Sequence, residues 1–383
     1  MALQESQARP AKPDASASVT SGTGATSSTM GKTGRDGHDR YGTAELAIVL
    51  SHFDLGVIES IQTFPRGSRR APKVVIRSEK GNFLLKRRAM GKDDPFKVAF
   101  CHQVQLYLSA KQFPLPRLIG TRGDNNSMLQ WNGSIYELFE YTRGSSFDNS
   151  VNLTIEAGKS LGLFHKLLRG YVAEYEPSTV TYHAARSVEA SFKAIPRRLA
   201  KVDPKSADQS QQIRQTVDAL HECYESAVAQ VTELGFEDWP KQILHCDWHP
   251  GNMLFVDGRV VAVIDYDSAR IQPRIIDVAN GALQFSILAG GEDPDQWPDH
   301  IDLERFKGFV KAYESVPDGT LSHPEVQAIA PLMIEALIAE STIPVANTGF
   351  FAGMPGYGFL RMVVRKVNWM RQHADELVQA AES

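Results

Sequence analysis

Between Ile243 and Asp267 the chain reads Ile-Leu-His-Cys-Asp-Trp-His-Pro-Gly-Asn-Met-Leu-Phe-Val-Asp-Gly-Arg-Val-Val-Ala-Val-Ile-Asp-Tyr-Asp. Two short apolar runs, Met253 to Val256 and Val260 to Ile264, flank Asp257-Gly258. Asp-Gly between two β-rich runs predicts a tight hairpin, because both residues tolerate the positive φ that such a turn needs. A hairpin fixes in space whatever it carries. Asp247 falls in the loop before it, Asn252 at its entrance and Asp265 just beyond its second strand.

An Asp, an Asn five residues on and a second Asp thirteen beyond that suit phosphoryl transfer. One carboxylate orients an attacking hydroxyl and accepts its proton, while an amide oxygen and another carboxylate hold Mg²⁺ against the phosphate oxygens. A metal site built from His245, Cys246, Asp247 and His249 is the rival reading. Zinc ligands are usually spaced as pairs on defined elements with partners elsewhere, and no second Cys/His cluster is visible.

With His-x-Asp-x-His-x-x-Asn over 245–252, the segment resembles the aminoglycoside phosphotransferase and type II homoserine kinase superfamily, whose fold is protein-kinase-like. The resemblance implies an α+β, bilobal architecture: a small antiparallel sheet lobe and a larger, mostly helical lobe. It also implies ATP and Mg²⁺ as cofactors, Asp247 as the base, and Asn252 and Asp265 as metal ligands.

Taken in order, residues 1–40 are rich in Ser, Thr, Gly and Ala and nearly free of large apolar side chains, the composition of a disordered tail. Gly31-Lys32-Thr33 has the ending of a phosphate loop, but Thr26 stands where its partner glycine is needed. A nucleotide-binding lobe over 41–141 follows. Val57 to Phe64, Lys73 to Ser78 and Phe83 to Lys86 read as an antiparallel meander. By the resemblance, Lys86 holds nucleotide phosphates and the Gly67-Ser68 turn covers them with backbone amides. Asp94-Pro95 starts a helix, as N-cap and first helical residue.

The family's helix glutamate, which pairs with the lysine, is missing here. Between Arg87 and Trp131 the only acids are Asp93, Asp94 and Asp124. Gln103 or His102 takes its place, and a buried lysine without a carboxylate partner is expected to have a lowered pKa. Leu115 to Thr121, Ser127 to Leu129 and Ile135 to Phe139 read as further strands. Glu140 to Gly144 resembles the hinge, with the Glu140 carbonyl and Thr142 amide facing adenine.

The second lobe, 142–383, carries the Leu-Gly-x-Phe-His pattern (Leu161 to His165), with His165 read as a packed structural residue. A polar, helix-prone insertion over about 171–240 is expected to help build the acceptor site. After the hairpin, Asp267 is a further candidate metal ligand, and Asp277 resembles the family's acid that braces the catalytic loop.

A net charge of −4 argues against a nucleic-acid partner, and no stretch approaches the roughly 18 apolar residues of a membrane span. Three scattered cysteines and no apolar core after Met1 suit a soluble, cytoplasmic protein. The reading is therefore an ATP- and Mg²⁺-dependent phosphotransferase acting on a hydroxyl of a small molecule, of homoserine, choline or aminoglycoside type. A protein Ser/Thr kinase of the same fold is a rival, although no Ala-Pro-Glu segment follows Asp265. A nucleotide-binding scaffold without turnover is another.

Overall fold

A computed structural model describes residues 39–65, 70–177, 179–202 and 208–383. The expected tail up to residue 38 and the Gly67-Ser68 turn lie outside these described residues. The first lobe begins with α1 (Thr43–Ser51), followed by β1 (Ile58–Thr63), β2 (Lys73–Ser78) and β3 (Gly81–Arg87). The helix α2 (Pro95–Ala110) starts at Asp94, whose side chain accepts from the Phe96 and Lys97 amides. Then come β4 (Leu118–Ile119), β5 (Leu129–Trp131) and β6 (Ser134–Glu140). The strands form one sheet in the order β1-β2-β3-β6-β4, with β5 also on β6. The strand expected over 115–121 shrinks to two residues: before it Pro116 has no amide to give a ladder, and after it the Thr121 carbonyl accepts the Asn125 amide at 2.9 Å in a turn.

Strand alternation divides this sheet into two faces. Val74, Ile76, Phe83, Leu85, Tyr136 and Leu138 point to one side and bury with Val49, Leu50 and Phe53 around α1. On the other side the register aligns Lys73, Lys86 and Glu137 in one row and Val75, Leu84 and Phe139 in the next. That second face looks into the cleft. The helix α2 turns its apolar stripe (Phe100, Cys101, Val104, Leu108) into the core of the larger lobe rather than into the sheet core.

The larger lobe opens with α3 (Val151–Leu168), α4 (Arg186–Val202) and α5 (Ser210–Glu233). Four short strands follow: β7 (Lys241–Leu244), β8 (Met253–Val256), β9 (Arg259–Val263) and β10 (Arg270–Pro273). The chain closes with α6 (Ile275–Ser286), α7 (Leu303–Glu314), α8 (His323–Thr348), β11 (Phe350–Phe351), β12 (Met354–Pro355), α9 (Gly356–Gln372) and α10 (Ala374–Glu382). The helices α3 and α7 pack closely because Gly158 has no side chain to meet the Phe309 backbone.

The helical insertion over 171–240 becomes α4 and α5, both packed on α8. By length and composition α8 is apolar enough to cross a membrane. It is instead the spine of this lobe, with 83% of its most apolar window buried.

Candidate active site

β8 and β9 form the expected hairpin, Met253 opposite Val263. The pairing runs one step further, since the Ile264 amide donates to the Asn252 carbonyl at 2.9 Å. This places Ile264 opposite Asn252, with Asp265 the next residue along the chain at the open end. The hairpin is also pinned to the chain beyond the hinge: Ser145 and Phe255 exchange both backbone hydrogen bonds, at 2.8 and 3.0 Å. Gly144 permits that contact, because a side chain there would collide with Leu254 and Phe255.

Asp247 sits one residue after Cys246, whose φ is +55°, and Asp265 itself has φ +63°. Left-handed backbone at such residues costs about 1–2 kcal/mol each and persists only where the surroundings dictate it. At Cys246 the surrounding group is Asp277. Fully buried on α6, it accepts the His245 amide (Oδ2, 2.8 Å) and the Cys246 amide (Oδ1, 2.8 Å). His165 approaches the same carboxylate at 3.2 Å and reaches Tyr313 with its other nitrogen at 3.0 Å. The histidine is thus a packed brace, as the Leu-Gly-x-Phe-His pattern suggested.

The Asn252 side-chain amide donates to the Asp247 carbonyl at 3.0 Å and to its carboxylate Oδ2 at 2.8 Å. With its nitrogen committed to two acceptors, the Asn252 oxygen is the end left to face the cleft. His249 Nε2 lies 3.5 Å from Asp247 Oδ1. Burial raises the Asp247 pKa, but His249, His245 and Asn252 outweigh it and hold the carboxyl below its ordinary value. Asp247 is therefore ionised at neutral pH.

The other end of the cleft is cationic. Lys86 Nζ is 3.7 Å from Glu137 Oε2 and 3.4 Å from Asp267 Oδ2. Arg88 donates to Glu137 Oε1 at 2.9 Å and to Asp267 Oδ1, and its Nε reaches the Lys92 carbonyl at 2.8 Å. His102 approaches Glu137 Oε1 at 2.7 Å through Nε2 and the Ser127 hydroxyl at 2.8 Å through Nδ1. Two expectations are corrected here. Lys86 does have a carboxylate partner, supplied by strand β6 instead of helix α2. Its pKa consequently rises: burial lowers it, but Glu137 and Asp267 more than compensate.

Gln103 does not take the role of the missing glutamate, because its side-chain oxygen accepts the Glu174 amide at 3.0 Å. Asp267 has both oxygens engaged by Arg88 and Lys86, which ties it to the first lobe. Sequence reasoning missed Glu137 and Arg88. The available signal was a single acid inside an apolar strand (Ile135 to Phe139), which has to be paired if it is buried.

At the end of β6, the Glu140 amide donates to the Arg117 carbonyl at 2.9 Å and the Tyr141 amide to the Asn82 carbonyl at 2.9 Å. The Thr142 amide donates to no acceptor among the described residues. Val75, Leu84 and Phe139, all half-buried, form an apolar patch on the cleft face of the sheet.

Residues 60–320 match the APH family of phosphotransferase enzymes. The chain belongs to that family. No curated protein matches it by sequence. Solved structures share its fold at low identity. An aminoglycoside phosphotransferase from Alicyclobacillus acidocaldarius is 16% identical with a TM-score of 0.63, covering 87% of this chain and 95% of its own. A spectinomycin phosphotransferase, solved with ADP and spectinomycin, is 13% identical with a TM-score of 0.58, covering 85% and 97%. An ethanolamine kinase from Plasmodium vivax is 14% identical with a TM-score of 0.51, covering 82% and 84%. As an APH-family member the chain is a phosphotransferase with a small-molecule hydroxyl acceptor.

Proposed function

We propose that this phosphotransferase moves the γ-phosphoryl group of Mg-ATP to a hydroxyl of a small, amine-bearing acceptor. The observation that carries the reading is the Asn252 side chain. Its nitrogen is spent on Asp247, which turns its oxygen out beside Asp265. An amide oxygen and a carboxylate are a hard donor pair of the kind Mg²⁺ takes when phosphates complete its shell. Bound there, Mg²⁺ would supply charge neutralisation at the phosphate oxygens.

The chain's own residues do the rest. The ionised Asp247 carboxylate accepts a hydrogen bond from the acceptor hydroxyl, aligns it in line with the transferring group and takes its proton as the new P–O bond forms and the bond from the γ-phosphorus to the ADP oxygen breaks, releasing ADP. Lys86 meets the nucleotide phosphates. The free Thr142 amide and the Glu140 carbonyl face the adenine edge, under the apolar patch of Val75, Leu84 and Phe139.

Glu340 supports an amine on the acceptor. It lies on α8 near Asp247, exposed to the cleft, with Gln284 as its hydrogen-bond donor. Protein crowding around the carboxyl and the charge of Asp247 push it up to about 7, with His249 opposing. An ammonium group would satisfy both acids. Spectinomycin and ethanolamine, after which two of the similar enzymes are named, both carry nitrogen beside hydroxyls. The test is an ADP-release screen of the purified protein against amino alcohols, aminoglycosides and their deaminated analogues. Release with amino alcohols but not with the deaminated set supports the reading; release with neither class overturns it.

A further inference from the structure

Glu137 and Asp267 are the acids that pair with the cations of the sheet's cleft face. Both are already shared between Lys86 and Arg88. A third cation stands in the same row. Lys73 lies directly opposite Lys86 across the β2–β3 ladder, so both side chains leave the sheet on the cleft side. Among the described residues no carboxylate lies within ion-pair distance of Lys73. The groups that face it are Lys86 on β3, Glu137 on β6, and Asp265 and Asp267 beyond the hairpin.

Like charges directly opposed on two strands destabilise the pairing, and Lys73 is half-buried besides. Burial and Lys86 both press its ammonium toward the neutral form, and the three carboxylates, Asp265, Asp267 and Glu137, do not offset them. A lysine in this position does not stabilise the empty protein. It is placed for an anion that arrives later.

We propose that Lys73 is a phosphate-binding residue, the counter-charge that the nucleotide's phosphate chain meets at the cleft mouth while Lys86 stays tied to Glu137. The inference rests on the nucleotide reading above and deepens it. Lys86 divides its charge between two acids, whereas the charge of Lys73 is undivided. A phosphate group between the two lysines would also remove their mutual repulsion. Since each charge-assisted hydrogen bond to phosphate forms only with nucleotide bound, Lys73 contributes to affinity and not to folding.

The experiment is calorimetric titration of the full-length protein with Mg-ATP and, separately, with adenosine. It compares the wild type, Lys73→Gln and Lys73→Arg, with the melting temperature of each ligand-free protein measured alongside. Lys73→Gln is expected to weaken Mg-ATP roughly 10- to 100-fold, the worth of one hydrogen bond to a charged group. Adenosine affinity stays unchanged, Lys73→Arg recovers most of the loss, and the ligand-free glutamine variant melts no lower than wild type. Equal Mg-ATP affinity in Lys73→Gln and wild type overturns the inference and leaves the nucleotide reading intact. A parallel loss of adenosine and Mg-ATP affinity with a lowered melting temperature also overturns it, by showing a structural role. If the wild type itself binds no Mg-ATP, the nucleotide reading falls and this inference falls with it.

Discussion

The two ends of the cleft are built by opposite means. The base end is a run of consecutive chain, from β7 through the hairpin to α6, folded tightly and braced from behind by one buried carboxylate, Asp277. Its polar groups converge because the chain between them is short. The phosphate end draws Lys73, Lys86 and Arg88, His102, Glu137 and Asp267 from β2, β3, α2, β6 and the segment after β9. Its groups meet only because strand register and the approach of two lobes bring them together.

The electrostatics differ in the same sense. The base end keeps Asp247 ionised by surrounding it with hydrogen-bond donors, so its charge is fixed before any ligand arrives. The phosphate end balances three cations against two shared carboxylates, leaving room for more negative charge. On the proposed function, one end acts on a proton and the other receives an anion. Damage to the first should therefore appear mainly in rate, and damage to the second mainly in stability and nucleotide affinity.

The largest expected effect tests the first half of that division. Asp247→Asn keeps the shape and the Asn252 contact but removes the charge that accepts the proton. Turnover should drop by about 10²- to 10⁴-fold, while Mg-ATP affinity and the melting temperature hold. Steady-state kinetics beside calorimetry would show this; undiminished turnover in the variant would refute the role of Asp247.

A second variant tests the other half. Glu137→Gln leaves Lys86 and Arg88 to share Asp267 alone, an uncompensated buried charge of the kind that costs about 3–5 kcal/mol. Denaturant unfolding should record that loss, and Mg-ATP should restore part of it by supplying negative charge to Lys86. The pH dependence follows with a definite sign. Burial raises the Glu137 pKa, yet Lys86, His102 and Arg88 hold the carboxyl down to about 2, against its ordinary 4.5. A depressed carboxyl contributes stability that is fully present above about pH 4.5 and lost as pH falls toward 2. Glu137→Gln should flatten the wild-type decline in that window. An unchanged acid limb would mean that the cluster does not hold Glu137 ionised.

The same division explains what the sequence made legible. The hairpin turn, the Asp247, Asn252 and Asp265 spacing and the Asp277 brace were all readable, because contiguous chain turns sequence distance directly into spatial distance. The meander, the Asp94-Pro95 helix start and the helices of the second lobe were readable from period and caps. The partner of Lys86 was not. Glu137 is 51 positions away, and its pairing depends on which residue of β6 stands opposite Lys86. A one-residue slip in that register would point it to the opposite face. Looking for the acid on α2 followed the resemblance, whereas this chain supplies it from the sheet. The orientation of α2 was hidden too, since its apolar stripe fits either lobe's core by pattern alone.

The smallest expected effect sharpens the comparison most narrowly. If the phosphate end is organised from β6, an acid introduced on the outer face of α2 should change nothing at Lys86. Gln103→Glu is that test. The residue after His102 turns about 100° around the helix, and Gln103 is held there by the Glu174 amide, to which a glutamate oxygen can still accept. Lys86, already paired with Glu137 and Asp267, gains no partner from it. Mg-ATP affinity and stability should each move by less than about 0.5 kcal/mol, the range of a surface substitution. A variant that bound Mg-ATP markedly tighter would show α2 rotating its outer face toward the lysine when nucleotide enters. The phosphate end would then be a moving assembly completed by the helix, and Glu137 its resting partner only.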